Sequence, residues 1–344
     1  MSISKGTLVL PKATELAIPS VFKALIAASN ALSRLDELAE VLDNPEVFVN
    51  AIPVIEAQAS SEIENVVTTH DSIFRATSSP AKADPETLAA LRLREAITRG
   101  INQAKSRGIS AKFVQNICSE IMGRQMPFRT LPGTEIRRGG KVVYQPPEPK
   151  YVPALMGQWE KFTNQQEKLH PLLTMAISHY LLEAIHPFAD GNGRTGRVIN
   201  VLYLVATGEL KQPVLHLSGY LNQHRETYYK KLRAVDRSGD WVGWVLFILE
   251  AVRASAIDSA KKLKQMTELQ LKFSENYYAS AHLVQLIFEK PYVQIGQVVD
   301  RCGVTRVTAA KWLESLVAQG ALKSVVLGRE KFFINQKLIR VLAN

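Results

Sequence analysis

The chain has 344 residues, 46% hydrophobic and 22% charged, as in ordinary soluble globular proteins, and is long enough for two or three domains around a substantial core. Its net charge of +10 favours polyanionic partners such as nucleotides, nucleic acids or acidic protein surfaces. Two distant cysteines, Cys118 and Cys302, exclude a disulfide framework and a cysteine metal site.

Taken in order, the N-terminus MSISKGTLVLPKATELAIP lacks a continuous apolar segment after a basic start, so no signal peptide and a cytoplasmic location are expected. The stretch 44–66, NPEVFVNAIPVIEAQASSEIENV, sets Ile55, Ala59, Ile63 and Val66 on one stripe, which predicts a helix. A breaker segment follows at 76–86, and Asp84-Pro85-Glu86 opens another helix with a capping carboxylate and proline in the first turn. FVQNICSEIMG is a further helix ending near Gly123. Between 128 and 150 the pattern changes to short alternation around Gly139-Gly140, a β-hairpin with a free edge. Helices are predicted at 154–168 and 170–185, then over RTGRVINVLYLVATG, NQHRETYYKKLRAVDRSG and DWVGWVLFILEAVRASAIDSAKKL. The apolar run at 241–252 is too short to span a membrane. From about 281, a helix, a second helix, a Gly303 turn, a third helix capped by Thr305 and ended by Gly320, and two short strands form a winged-helix pattern.

Between two of the helical runs lies HPFADGNGRTGR, residues 186–197. Gly191 and Gly193 let backbone N–H groups approach a ligand, and the helix that opens there adds unpaired donors and partial positive charge. Arg194 and Arg197 lie one turn apart and can fork onto phosphate oxygens, Asn192 adds an amide donor, and Asp190 is a hard oxygen ligand suited to Mg²⁺. His186 titrates near neutrality and can take a proton from a hydroxyl. A glycine turn or a helix-end histidine alone is usually only a turn or a cap. Eight fixed positions at roughly 5% usage each arise on the order of once in 10⁸ chains of this length, so the joint pattern points to function.

These twelve residues resemble the signature of Fic-domain proteins. The resemblance runs over roughly 110–260 and implies an all-α Fic fold with a short β-hairpin flap and transfer of AMP from ATP to a protein hydroxyl. It implies His186 as the base, Asp190 as the Mg²⁺ ligand, Phe188 as the loop's anchor, and Gly191, Asn192, Gly193, Arg194 and Arg197 as phosphate holders. The hairpin at 134–146 resembles the family's flap, where Ile136, Lys141, Val142 and Val143 would pair a target segment by its backbone. YLNQHRETYYKKL lies where the family lines its adenine pocket, nominating Tyr220 and Tyr229; His224 departs from the asparagine expected of relatives. The classical P-loop pattern is absent.

Ser60-Ser61-Glu62-Ile63-Glu64-Asn65 resembles the family's inhibitory-helix motif, with Ser60, Glu64 and Asn65 at its fixed positions. A carboxylate at Glu64 would hold Arg197 away from a γ-phosphate. The expected organisation is therefore an N-terminal helical region over 1–105 with the inhibitory helix at about 52–68, a catalytic core over 106–265, and a connecting helix with a separate winged-helix domain over 266–344. That tail carries Arg306, Lys311, Arg329 and Lys331, so DNA is one expected partner and protein recruitment another. The reading is an autoinhibited protein adenylyltransferase using ATP and Mg²⁺ on a protein substrate, with self-modification and homodimerisation as further expectations and no membrane partner. The alternatives are a winged-helix transcriptional regulator with a nucleotide-sensing domain, and an enzyme that removes AMP or transfers another nucleotide-derived group.

Overall fold

The computed structural model describes residues 3–4, 6–40, 46–78, 83–132, 135–138, 141–165, 169–277, 279–327 and 330–343. The chain opens with a small antiparallel hairpin, β1 (Ile3–Ser4) and β2 (Thr7–Leu8), which the sequence pattern had not suggested. Gln158 ties it down, accepting from the Leu8 N–H at 3.0 Å and donating to the Gly6 carbonyl at 2.9 Å. After the short α1 (Ala13–Leu16), α2 (Pro19–Glu40) buries Val21, Leu25, Ala28, Leu32, Leu35 and Ala39, one stripe at helical spacing, and lies along α12 (Trp241–Tyr277).

The centre is a pair of helices, α8 (Pro171–Ile185) and α9 (Asn192–Ala206), joined by the glycine-rich corner. In α8 every residue except Pro171 and Glu183 is buried, which is why its apolar residues run continuously rather than as a stripe. Around this pair stand α5 (Pro85–Arg107), α6 (Ala111–Met122), α7 (Val152–Thr163) and α12. Start and stop chemistry is as the sequence implies: the Asp84 carboxylate accepts from the Thr87 N–H at 2.7 Å, and Gly123 ends α6 at φ +65°.

The helix expected over 44–66 is α3 (Glu46–Ile63). From Ala51 to Ser61 every side chain except Gln58 is buried, so α3 is embedded in the core rather than laid on it by one stripe. It packs on α5 and on α10 (Leu217–Gln223). The single helix expected over 222–239 is two, α10 and α11 (Arg225–Ser238), because His224 leaves helical geometry at φ −109°, ψ 30°. α7 stops at Thr163, short of the expected 168, and residues 166–168 lie outside the described ones.

The segment expected to form the flap is a two-stranded antiparallel hairpin, β3 (Ile136–Arg138) with β4 (Lys141–Tyr144), and its register shifts between Ile136 and Arg137. The Gly139-Gly140 turn falls outside the described residues, and so do the side chains of Ile136, Lys141 and Val143. In the tail, α13 (Ala281–Glu289), α14 (Ile295–Cys302) and α15 (Arg306–Ala318) precede β6 (Lys323–Leu327) and β7 (Glu330–Ile334). Gly303 turns at φ +64°, and the Thr305 hydroxyl accepts from the Thr308 N–H at 3.2 Å. A further strand, β5 (Tyr292–Val293), completes a β5-β7-β6 sheet, and α16 (Gln336–Ala343) closes the chain. α12 runs unbroken past residue 265, and α16 packs back on α12, α3 and α4 (His70–Ser78). The Tyr292 hydroxyl donates to the Asp71 carboxylate of α4. Among the described residues no helix is long and apolar enough to cross a membrane.

Candidate active site

The corner between α8 and α9 is shaped by local geometry. His186 ends α8 in the left-handed region at φ 49°, and Gly191 precedes α9 at φ +82°. A side chain on Gly191 would start 2.9 Å from the Met122 sulfur, so glycine is required for both conformation and space. Phe188 is wholly buried, its ring 5.7 Å from that of Phe128. Asn192 binds the loop to itself: its amide donates to the Phe188 carbonyl and its oxygen accepts from the Phe188 N–H, each at 2.9 Å. One of the two amide N–H groups expected to be offered to phosphate is therefore spent on shaping the loop.

No side chain caps the N-terminus of α9, so its first N–H groups face the corner as an anion site. Arg194 lies 3.5 Å from the Asp190 carboxylate and 3.3 Å from the Met122 sulfur, with its Nε unpartnered. Arg197 is 1% exposed and is held by Ser60 of α3 and by Glu64, directly after that helix. It donates to the Ser60 hydroxyl at 2.9 Å, to the Ser60 carbonyl at 2.8 Å and to Glu64 Oε1 at 2.9 Å. Burial opposes its charge, but the Glu64 carboxylate offsets that and the pKa stays above the ordinary value. The same Glu64 oxygen lies 2.3 Å from where a side chain on Gly193 would begin. One carboxylate thus sits over the helix N-terminus and on its arginine, the place and partner a phosphate would take.

Asn65 has a role that the motif alone does not explain. It adopts φ +61°, a left-handed conformation that Gly and Asn tolerate best, and so turns the chain directly after Glu64. Its side-chain oxygen accepts from both terminal nitrogens of Arg225 at 3.1 Å.

Sequence reasoning missed Arg129. It is 7% exposed, and its guanidinium donates to the carbonyls of His186 at 2.8 Å, Ile185 at 3.3 Å and Pro147. Its own N–H donates to the Pro187 carbonyl at 2.9 Å. One side chain therefore caps the end of α8, fixes the backbone of His186 and joins it to the chain leaving the flap. Nothing in the local pattern marks it, because its partners are far away in sequence. Arg129→Met is expected to destabilise the protein by about 2–4 kcal/mol, since a charge-assisted network is replaced by buried unpaired carbonyls. A urea unfolding midpoint equal to wild type would contradict this.

Burial, with Arg129 second, lowers the pKa of His186 to about 4, and its Nδ1 has no partner. At neutral pH the imidazole is uncharged and able to accept a proton. Asp190, with 61% of its side chain exposed, accepts from the Gly191 N–H at 2.6 Å. A single exposed carboxylate beside an anion site fits Mg²⁺, which takes one or two carboxylates and shares the phosphates of its nucleotide. Among the described residues no set of three His, Cys, Asp or Glu side chains gathers to hold a metal alone. Cys118, buried behind the loop with its thiol 3.6 Å from the Asp190 carbonyl, has a pKa raised to about 11 by burial, so it is packing rather than a nucleophile.

The two adenine candidates part company. Tyr229 packs its ring 5.1 Å from that of Tyr228, and burial, with Glu64 second, raises its pKa. Tyr220 instead stacks on His224 at 4.0 Å and lines a different cavity. Under the flap, Val142, Tyr144 and Asp236 share a cavity of about 660 Å³ that extends to the N-terminal hairpin. Of the tail's basic residues, Arg306 and Lys311 are exposed, Lys331 is paired with Glu314, and Arg329 lies outside the described residues.

Three family models match the chain: Fic/DOC family N-terminal over 22–102, Fic/DOC family over 108–204, and Protein adenylyltransferase SoFic-like, C-terminal domain over 260–338. The chain is 34% identical over 150 residues to the Protein adenylyltransferase Fic of Aedes aegypti. It is 33% identical over 146 residues to that of Drosophila melanogaster. These matches cover 42% and 41% of this chain and 28% of each insect protein. Among solved structures it is similar to a Fic family protein from Desulfovibrio desulfuricans G20, with TM-score 0.59 at 21% identity, covering 92% of this chain and 96% of that one. It is also similar to Fic-1 from C. elegans, with TM-score 0.56 at 19% identity, covering 75% and 79%. Both likenesses are in fold.

Proposed function

Because this chain belongs to the Fic/DOC family, we propose that it is a protein adenylyltransferase held in check by its own α3. The observation that carries the reading is an uncapped α9 N-terminus with neutral His186 on one side and Arg197, occupied by Glu64, on the other.

In the reaction the target hydroxyl attacks the α-phosphorus of ATP. The bond to the β-phosphate breaks, pyrophosphate leaves, and the hydroxyl proton passes to His186. The α9 amides and Arg194 receive the growing negative charge, and Arg197 aligns the terminal phosphate once Glu64 withdraws. Mg²⁺, held by Asp190, would neutralise phosphate charge. Tyr229 would line the pocket for the adenine ring, and the flap strands offer backbone groups to a segment of the protein substrate. For the tail we propose a packing and recruitment role over DNA contact: α16 and Tyr292 join it to α3 and α4, and Lys331 is committed to Glu314.

The test uses Mg²⁺ with ATP labelled at the α- or the γ-phosphate, and wild type beside Glu64→Gly. Stable α-label in protein supports AMP transfer, γ-label indicates phosphoryl transfer, and no label of either kind removes the proposal.

The pH dependence is a second check. A base whose pKa is lowered stays neutral as the pH falls, so activity is lost only as pH drops through the lowered value. Loss of Glu64 removes a charge that raises this pKa, so the limb moves no higher in the Glu64→Gly protein. Its kcat/KM should stay flat from about pH 8 to about pH 5.5, below the ordinary histidine value. An acid limb centred near 6.5 would count against His186 as the base.

A further inference from the structure

α3 has a second face. At about 100° per residue, Gln58 and Glu62 lie about 160–200° around the helix from Ser60, on the side away from Arg197. There α3, α10, α12 and α16 line a cavity of about 530 Å³ that opens to solvent, completed by His70 and His216. None of residues 186–197 lines it.

Three of its buried polar atoms have no partner: His70 Nε2, His216 Nε2 and Ser255 Oγ. Ser255 is 3% exposed and Lys262 5%, so both are inside the protein. The Lys262 ammonium is 3.4 Å from the carboxylate of Asp258, which is 43% exposed and so free to exchange this contact for water. Burial lowers the pKa of both imidazoles, with Lys262 adding to it, so both are neutral there at pH 7. The wall's other carboxylate, Glu62, accepts from Gln58 at 3.0 Å. Unpaired buried polar atoms each cost about 1–3 kcal/mol unless something satisfies them. A divalent metal does not fit: among the described residues no three ligand side chains converge, and a buried ammonium stands beside the histidines.

We propose that this cavity binds a small anionic metabolite bearing a phosphate or carboxylate group, held by Lys262, Ser255 and the imidazole edges of His70 and His216. Asp258 and Glu62 are placed to accept from a hydroxyl or amino group on the same molecule. The cavity exists only while α3 is docked against α10, α12 and α16. Occupancy therefore stabilises the docked helix and, on the reading of activity proposed above, tightens the Glu64–Arg197 contact. The binding itself does not depend on that reading.

The test is a titration of the full chain, ¹⁵N-labelled at histidine, with inorganic phosphate in one arm and succinate in the other. Ring resonances are assigned with His70→Gln and His216→Gln. Saturable shifts of both rings and a raised Tm are expected, and the arm that produces them identifies the anion. Lys262→Gln should weaken the effect at least about tenfold. Ser255→Ala should weaken it severalfold and decides the matter should Lys262→Gln melt below wild type. The proposal is overturned if neither anion moves either ring, or if both variants respond as wild type does. Ring shifts in a protein that transfers no AMP would leave this site standing and remove the proposed activity; an active protein without them would do the reverse.

Discussion

Replacing Glu64 with glycine is expected to raise AMP transfer by about 10- to 150-fold, the range for losing one charge-assisted contact that competes with a ligand. The geometry gives two reasons. Glu64 takes one terminal nitrogen of Arg197 at 2.9 Å, and its oxygen lies against Gly193 at the opening of α9. Glycine vacates both places. Arg197 keeps its two bonds to Ser60, so it stays oriented while its remaining donor capacity turns to the nucleotide. The substitution should cost about 1–2 kcal/mol without nucleotide, below the value for fully buried pairs because the Glu64 side chain is 35% exposed. ATP should restore that stability. Equal incorporation of α-label by Glu64→Gly and wild type would remove the inhibitory role.

The second large effect concerns His186. In the Glu64→Gly background, His186→Ala should lower kcat/KM by about 10²- to 10⁴-fold, the usual contribution of a positioned base. ATP affinity should stay within about twofold, because the phosphates are held by α9 amides and arginines rather than by imidazole. Alanine at φ 49° is itself strained, so His186→Asn, which tolerates that conformation, separates chemistry from backbone. Calorimetric titration with ATP beside steady-state rates reads both quantities. A variant that keeps its rate, or loses nucleotide binding in proportion, would show that the ring is not the base.

The depth of α3 bears on how such a brake is released. Undocking the whole helix would expose Ile52, Ile55 and Ile63 along with the rest of a buried segment. Each fully exposed large aliphatic side chain costs about 1.5–3 kcal/mol, so complete release is far more expensive than a shift of the final turn. Glu64 and Asn65 lie beyond the last residue of α3, where the chain already leaves helical geometry. A movement confined to that turn would take Glu64 off Arg197 and leave the two Ser60 bonds in place.

What could be read from the amino acids were features that short segments decide for themselves. The Gly191 turn, the Asp84 and Thr305 caps and the stop at Gly123 follow from φ/ψ preference and side-chain reach over a few residues. The motif also points to the corner where the α9 N-terminus opens without a side-chain cap. Other features depended on partners distant in sequence. The break at His224 separated Tyr220 from Tyr229, although both lie within ten residues. Arg129 was one more basic residue until folding set it against the end of α8. Asn192 looked like a free donor because its acceptor, the Phe188 carbonyl, becomes available only when the loop closes.

By itself, then, the sequence marked most of the central and tail helices, several of their caps, and residues 186–197 as the place where candidate chemistry concentrates. Local dihedral preference, hydrophobic periodicity and the unpaired donors of a helix N-terminus act over one or two turns and need no long-range partner. Only the tertiary structure set Arg129 behind His186 and Lys262 in a cavity behind α3, while the contact of Glu64 with Arg197, which the motif resemblance implies, forms at 2.9 Å. Each of those pairings is set by close packing across the chain, where burial removes water and makes the nearest opposite charge or open carbonyl the partner that counts.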